Sequence, residues 1–163
     1  GHAVGDAGAA MKRLQLKIPP PLVALLFGGI IWQLQLLLPV YADAVLLRHS
    51  AAMVLLVLAL IIDLMAIISF RRAGTTIDPR YPHKSATVVT GGIYACSRNP
   101  MYTSLVLLLL SLTLWLGTPF GLIAIAAFIL YMYHFQITAE EEMLTSRFGN
   151  DYLAYKARVR RWL

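Results

Sequence analysis

The sequence predicts an all-α integral-membrane protein: four transmembrane helices, with a polar loop and a C-terminal helix on the cytoplasmic side. Three observations carry that prediction. Of 163 residues, 59% are hydrophobic and 13% charged, with a mean hydropathy of +0.69, where a soluble domain carries about 25% charged residues. The apolar residues gather in four runs, each near the roughly 17–25 residues that a helix needs to cross a bilayer. The basic residues cluster in the segments that flank those runs. So much apolar surface cannot be hidden in so small a body. A water-soluble globule is therefore excluded, and with it the alternating α/β architecture of dinucleotide-binding folds.

Residues 1–10 (GHAVGDAGAA) are small and carry little information, and are read as a remnant ahead of a natural start at Met11, leaving 11–163 as a single domain. The first span runs from about 21 to 40. Pro19, Pro20 and Pro21 suit its entry and Pro39 its exit, because proline fixes φ and lacks a donor. The second runs from about 44 to 70 and the third from about 100 to 116, where Asn99-Pro100 fits an N-cap followed by proline at the first helical position. Gly117-Thr118-Pro119 is a three-residue turn, so the fourth span, about 119–137, pairs with the third as an antiparallel hairpin.

Orientation follows from the basic residues. Lys12, Arg13 and Lys17 precede the first span; Arg71, Arg72, Arg80, Lys84 and Arg98 lie between the second and third; Arg147, Lys156, Arg158, Arg160 and Arg161 follow the fourth. Only Arg48 is on the other side, so 13 of the 14 positive charges share one face if there are four spans, which places both termini in the cytoplasm. The net charge of +6 is thus an orientation signal facing anionic lipid, with no nucleic-acid partner implied. The single cysteine, Cys96, excludes an internal disulfide and a multi-cysteine metal site. His49, His83 and His134 have no metal-ligand spacing, so no metal is expected.

Both sizeable polar segments, 71–99 and 138–163, fall on that one face, which is where chemistry is expected. In the loop, Gly91-Gly92 permits a tight turn or a close backbone approach to a ligand. The helix start at Asn99, with Arg98 beside it, can attract an anionic group. Tyr94 and Tyr102 can pack on a flat ring or serve as interface-belt aromatics. In the tail, Glu140, Glu141 and Glu142 carry a helix out of the membrane, and Glu142 reads as solvated. Gln136 and Glu140 are four apart and share one face, where a carboxylate suits a cationic or hydroxyl-bearing ligand. Phe148, Tyr152, Tyr155 and Val159 recur at helical spacing and suggest an amphipathic helix lying on the membrane surface. Asp63 stands alone inside the second span; it is either functional, or protonated or hydrogen-bonded to another span through a residue such as Gln33 or Gln35.

The pairing of GGIYACSRNPMY (91–102) with EEEMLTSRFGNDYLAYKARVRRWL (140–163) resembles the integral-membrane methyltransferases related to isoprenylcysteine carboxyl methyltransferase and phospholipid methyltransferases. That family shows G-x-Y-x-x-x-R-[HN]-P-x-Y, a helical hairpin, then E-E-x-x-L-x-x-x-F-G-x-x-Y-x-x-Y. The resemblance covers about 75–162 and implies S-adenosyl-L-methionine as methyl donor, with the cytoplasmic loop before the third span and the C-terminal helix forming the cofactor site. By motif position it implies a cofactor shell of Ala86, Thr87, Val88, Val89, Tyr94, Asn99, Pro100, Met101, Tyr102 and Glu140, with Arg98, Gln136 and Glu140 as the catalytic candidates. The isoprenylcysteine enzymes have histidines where Ala86 and Asn99 stand. They have an arginine linked to substrate recognition where this chain has Gln136, so a carboxylate acceptor would lack its obvious cationic partner. The residues agree with the cofactor, since carboxylate, ammonium, sulfonium and adenine each find a complementary group among Arg98, Asn99, Glu140, Tyr94 and Tyr102. Transfer from an activated methyl needs alignment and exclusion of water and no nucleophilic side chain. The acceptor is expected to be lipophilic, with a prenylcysteine-like carboxylate as the candidate the resemblance offers, and to enter from the bilayer. Two other classes compete: a four-helix transporter coupled through Asp63, and an NADPH-dependent membrane reductase, for which no phosphate-cradling glycine motif is present.

Overall fold

A computed structural model describes residues 18–74 and 88–163. Among them the structure is helical throughout, with no strand. Six α-helices follow in order: α1 (Pro20–Leu37), α2 (Val45–Ala73), α3 (Pro100–Leu116), α4 (Gly121–Met132), α5 (Thr138–Phe148) and α6 (Asn150–Arg158). A short 3-10 turn, Gly92–Ala95, precedes α3, and a π-helical turn, Tyr133–Ile137, joins α4 to α5 in one continuous rod, Gly121–Phe148.

Three helices are long and apolar enough to cross a membrane: Pro20–Leu37, Val45–Ala73 and Gly121–Phe148. The expected third span is a shorter apolar helix, Pro100–Leu116, of 17 residues, with the boundaries the sequence predicts. The expected fourth span is longer than predicted at its far end, because the helix continues through the glutamates without a break. The first helix ends at Leu37 rather than 40, where Leu38 turns extended just before Pro39. The second carries on past Phe70 to Ala73, with Arg71 and Arg72 in its last turn and Gly74 at its left-handed C-cap. That is where cations complement the carbonyl end and glycine tolerates positive φ.

α2 and α3 run antiparallel along a seam of small residues. Ala52, Ala59 and Ala66 on α2 are all buried, one every seven residues, which brings one face of the helix round repeatedly to the same neighbour. With no large side chain between them the backbones approach closely, and Ser111 Oγ donates to the Ala52 carbonyl at 2.7 Å. α1 packs on α3 and α4, burying Val23 and Ile31 with Leu109, Ile125 and Phe128. The remaining circumference is apolar and outward, as in Leu46, Val54 and Leu60 on α2 and Ile123 and Leu130 on α4. Facing water this would be a liability; facing lipid tails it is the ordinary surface of a span.

The antiparallel hairpin predicted at 117–119 is present. Gly117 adopts φ +67, and a Cβ there would fall 2.5 Å from the Tyr41 carbonyl and 2.6 Å from Arg48 Nη1. Arg48 donates to the carbonyls of Leu114 (2.8 Å) and Asp43 (3.0 Å), so the one basic residue set apart from the others caps the C-terminal end of α3. His49 stacks on Trp115 at 3.8 Å beside it. This corner joins the α1–α2 and α3–α4 connections at one end of the bundle, and leaves the loop before α3 and the whole tail at the other.

The seam makes a direct prediction. Ala59→Leu, at a position with no exposed surface, should destabilise the protein by about 1–3 kcal/mol through overpacking, read as a lower midpoint of thermal unfolding in detergent. Leu60→Ala on the outward face should leave that midpoint nearly unchanged.

Candidate functional site

At the loop-and-tail end lie a polar cluster and an aromatic one, and Met101 packs against the aromatic cluster and against the bundle core that includes Tyr102. The first is polar. Tyr102 reaches it from the first turn of α3, Gln136 from the π turn and Glu140 from α5, and all three are buried. The Tyr102 hydroxyl donates to Glu140 Oε1. Gln136 Nε2 donates to the same oxygen and lies 3.4 Å from the Tyr102 hydroxyl. The expected face shared by Gln136 and Glu140 is therefore present, with Tyr102 closing the triangle.

The second cluster is aromatic. Tyr94, Tyr152 and Tyr155 are buried with Val89 and Ala66, and Val88, Phe70, Phe148 and Val159 pack around them. Phe70 meets Tyr94 edge to face at 5.3 Å, and the Tyr155 hydroxyl donates to the Tyr94 carbonyl at 2.7 Å. Burial, reinforced by the neighbouring Tyr155, Glu140 and Asp63, pushes the Tyr94 hydroxyl far above its ordinary range and keeps it protonated. The same contacts correct one expectation. The apolar face of α6, expected to lie on lipid, is turned inward and closes over the loop, because its tyrosines find both burial and a backbone acceptor there.

The glycine pair forms a turn, as one of its two readings held. Gly92 has φ +60, and a Cβ on it would sit 2.3 Å from Ser69 Oγ. The close approach it permits is to α2, so the loop is pressed against that helix.

Glu141, for which the sequence pattern offers no role of its own, is held by three cations. Arg161 grips it with two bonds of 3.0 Å, Nε to Oε1 and Nη2 to Oε2. Arg98 Nη1 donates to Oε1 at 3.0 Å and Lys156 Nζ lies 3.5 Å from Oε2. In an unbroken α-helix Glu141, nine residues on, would point about 180° away from Met132. The wider π turn between them unwinds part of that angle, and both are buried. No spacing rule for a regular helix reveals this.

The tail is sewn to the start of α3. Arg98 N–H donates to the Arg160 carbonyl (2.9 Å), Asn99 Nδ2 to the Arg161 carbonyl (2.8 Å), and Thr103 Oγ1 to the Trp162 carbonyl (3.3 Å). Asn99 thus sits at the N-cap position with Pro100 next, as predicted, but its side chain makes no cap bond to α3.

Among the sequence candidates, Tyr102, Gln136 and Glu140 come together directly. Tyr94, Val88 and Val89 belong to the adjoining cluster, Met101 packs against that cluster and against the core that includes Tyr102, and Pro100 is buried at the start of α3. Arg98 and Asn99 are engaged with Glu141 and the tail. Ala86 and Thr87 lie outside the described residues. Glu142 is exposed, as read from the sequence. Asp63 is bonded to another helix as one reading allowed, but by Ser104 of α3 at 2.5 Å in place of Gln33 or Gln35. Among the described residues no three His, Cys, Asp or Glu side chains gather to hold a metal.

The class these features define is an all-helical membrane protein with a buried carboxylate-and-tyrosine site at one end of its bundle. The phospholipid methyltransferase family model matches residues 47–151, more than half of the chain, and the chain belongs to that family of membrane methyltransferases. The matched stretch holds both site segments from α2 to the start of α6. An uncharacterized protein of Haemophilus influenzae is 51% identical over 63 residues, its whole length and 39% of this chain. No solved structure matches the chain.

The two adjacent glutamates should respond differently. Glu141→Gln keeps the shape but removes the charge held by three cations, and should cost about 1–3 kcal/mol, seen as a lower thermal midpoint. Glu142→Gln on the exposed side should shift stability by less than about 0.5 kcal/mol.

Proposed function

We propose that this protein transfers the methyl group of S-adenosylmethionine to the polar end of a lipophilic acceptor at the cytoplasmic face of the membrane. The observation that carries the reading is the convergence of Tyr102 and Gln136 on Glu140, beside the aromatic cluster of Tyr94, Phe70 and Tyr155. A carboxylate held by a phenol and an amide suits an ammonium or sulfonium cation, and an aromatic wall suits both a cation and a flat ring. The donor set therefore fits S-adenosylmethionine, whose sulfonium supplies an already activated methyl. The protein's own part is positioning. Glu140 orients the donor, with Gln136 and Tyr102 holding its carboxylate in place, and the tail shields the start of α3 from water.

The site disfavours a carboxylate-ended acceptor of the prenylcysteine kind. Gln136 stands where the isoprenylcysteine enzymes have arginine, and both nearby arginines, Arg98 and Arg161, are bound to Glu141. The reading takes α3 as a further span, four in all. At 1.5 Å per residue, α3 spans about 26 Å, close to the roughly 30 Å hydrocarbon core, and the basic residues favour the site end as cytoplasmic.

Calorimetric titration of the purified protein with S-adenosylhomocysteine tests the reading. Wild type should bind, Glu140→Ala should bind at least tenfold more weakly, and NADPH should not bind; no binding of the S-adenosyl ligand by wild type at millimolar concentration sinks the proposal. Topology has its own test in intact cells. With Pro119→Cys, a membrane-impermeant maleimide should label position 119 from outside, while native Cys96, exposed at the other end, should react only after permeabilisation.

A further inference from the structure

Asp63 is a carboxylate inside a span that the cofactor site just described does not use. It lies on the inward side of α2, three residues before Ala66 and four after Ala59, both buried. Ser104, fully buried on α3, places its hydroxyl 2.5 Å from Asp63 Oδ1. Among the described residues Asp63 has no other hydrogen bond or ion pair, and it is only half-buried. Its second oxygen is therefore left to something outside this chain's described residues. Polar groups at such depth are paired when their role is structural, and Asp63 is paired on one side only.

Its surroundings tie it to the site. The charges of Asp63 on α2 and Glu140 on α5 both act on the Tyr94 hydroxyl. Met101, whose carbonyl accepts from Ser104 at 2.7 Å, packs against the aromatic cluster of Tyr94 and against the core that includes Tyr102.

The serine has one hydrogen and two acceptors. With Asp63 ionised, Ser104 donates to Oδ1. With Asp63 protonated, the carboxyl donates to Ser104 Oγ, and the serine turns its hydrogen to the Met101 carbonyl. A proton can enter or leave this pair with no heavy atom moving, which is the behaviour wanted of a group that accepts a proton during a reaction.

We infer that Asp63 binds the N–H or O–H end of the methyl acceptor and receives its proton, the acceptor's tail remaining among the apolar side chains of α2 and the lipid. This rests on the methyltransferase reading above. The acceptor's nitrogen or oxygen forms its bond to the methyl carbon as the methyl–sulfur bond breaks, the electron pair of that bond going to sulfur. The proton lost by the acceptor passes to Asp63 and from there to water. An anionic acceptor end has no place beside Asp63, so the class is a lipophilic amine or alcohol and not a carboxylic acid.

The test uses the full chain in phosphatidylcholine nanodiscs, with dodecylamine, dodecanol and dodecanoate as probes of equal chain length. Two readouts are taken: the shift of thermal midpoint on adding each probe without cofactor, and transfer of labelled methyl from S-adenosylmethionine. Wild type should be stabilised by, and should methylate, the amine or the alcohol, and the two arms show which. Asp63→Asn should lose that stabilisation and at least thirtyfold of the transfer, while its affinity for S-adenosylhomocysteine stays within threefold. Should Asp63→Asn fail to fold, Ser104→Ala keeps the carboxylate and removes its support, and the apparent KM for the acceptor should rise several-fold with cofactor affinity unchanged. Stabilisation or transfer by Asp63→Asn within threefold of wild type, an unchanged KM in Ser104→Ala, or a preference of wild type for dodecanoate overturns the inference. So does binding of S-adenosylhomocysteine by wild type with no response to any probe, and that outcome leaves the cofactor reading standing. Failure of wild type to bind S-adenosylhomocysteine brings down both.

Discussion

Glu141 joins three stretches of chain that are far apart in sequence. Its carboxylate takes Arg98 from the loop before α3 and Arg161 and Lys156 from the tail, while its own backbone belongs to the rod that began at Gly121. A buried carboxylate with one cation would still carry a heavy desolvation cost. With three cations, one of them bidentate, that cost is offset, and removing any one partner leaves the others to hold the charge. Once Arg98 and Arg161 are fixed, the backbone bonds from Arg98 N–H and the Asn99 side chain to the Arg160 and Arg161 carbonyls follow at short range. Glu140 can then face the opposite way, toward Tyr102 and Gln136. Two adjacent glutamates are thus divided between a strut and the candidate site.

Much of this was legible in the sequence because the bilayer leaves few choices. Backbone groups in lipid must be satisfied internally, so long apolar runs become helices, and α3 has the predicted boundaries. The turn at Gly117 and the Asn99-Pro100 start were readable from residues with narrow conformational preferences. The pairing of Gln136 with Glu140 followed from helical spacing. What escaped was irregular or long-range. A π turn has no sequence signature, so the inward turn of Glu141 was invisible. The face of α6 has the pattern of a lipid-facing helix and of a protein-facing one equally, and only the presence of Tyr94 and its carbonyl decides between them. The partner of Asp63 was sought among amides on α1, whereas α2 packs along α3 through its alanines, and a serine is what lies opposite.

The two ends of the bundle are stabilised by unlike chemistry. At the 117 end, a glycine corner, one arginine and a histidine–tryptophan stack close the connections over backbone carbonyls. At the site end, carboxylates, guanidinium groups and tyrosine hydroxyls interlock. The polar side-chain contacts thus gather around the candidate site, and the other end is closed by small means that satisfy the carbonyls of α3.

The outward apolar faces of α2 and α4 bear on selectivity. A soluble enzyme acting on a long-chain compound must enclose the chain, and so measures its length. For the lipophilic acceptor proposed above, the hydrocarbon around α2 would be the solvent of the chain before and after it reached the protein. Transfer of the tail from lipid to a lipid-facing helix would gain little free energy, so neither length nor unsaturation would be strongly read. Under that proposal discrimination falls almost wholly on the few atoms at the polar end, and simple lipids that share that end become interchangeable.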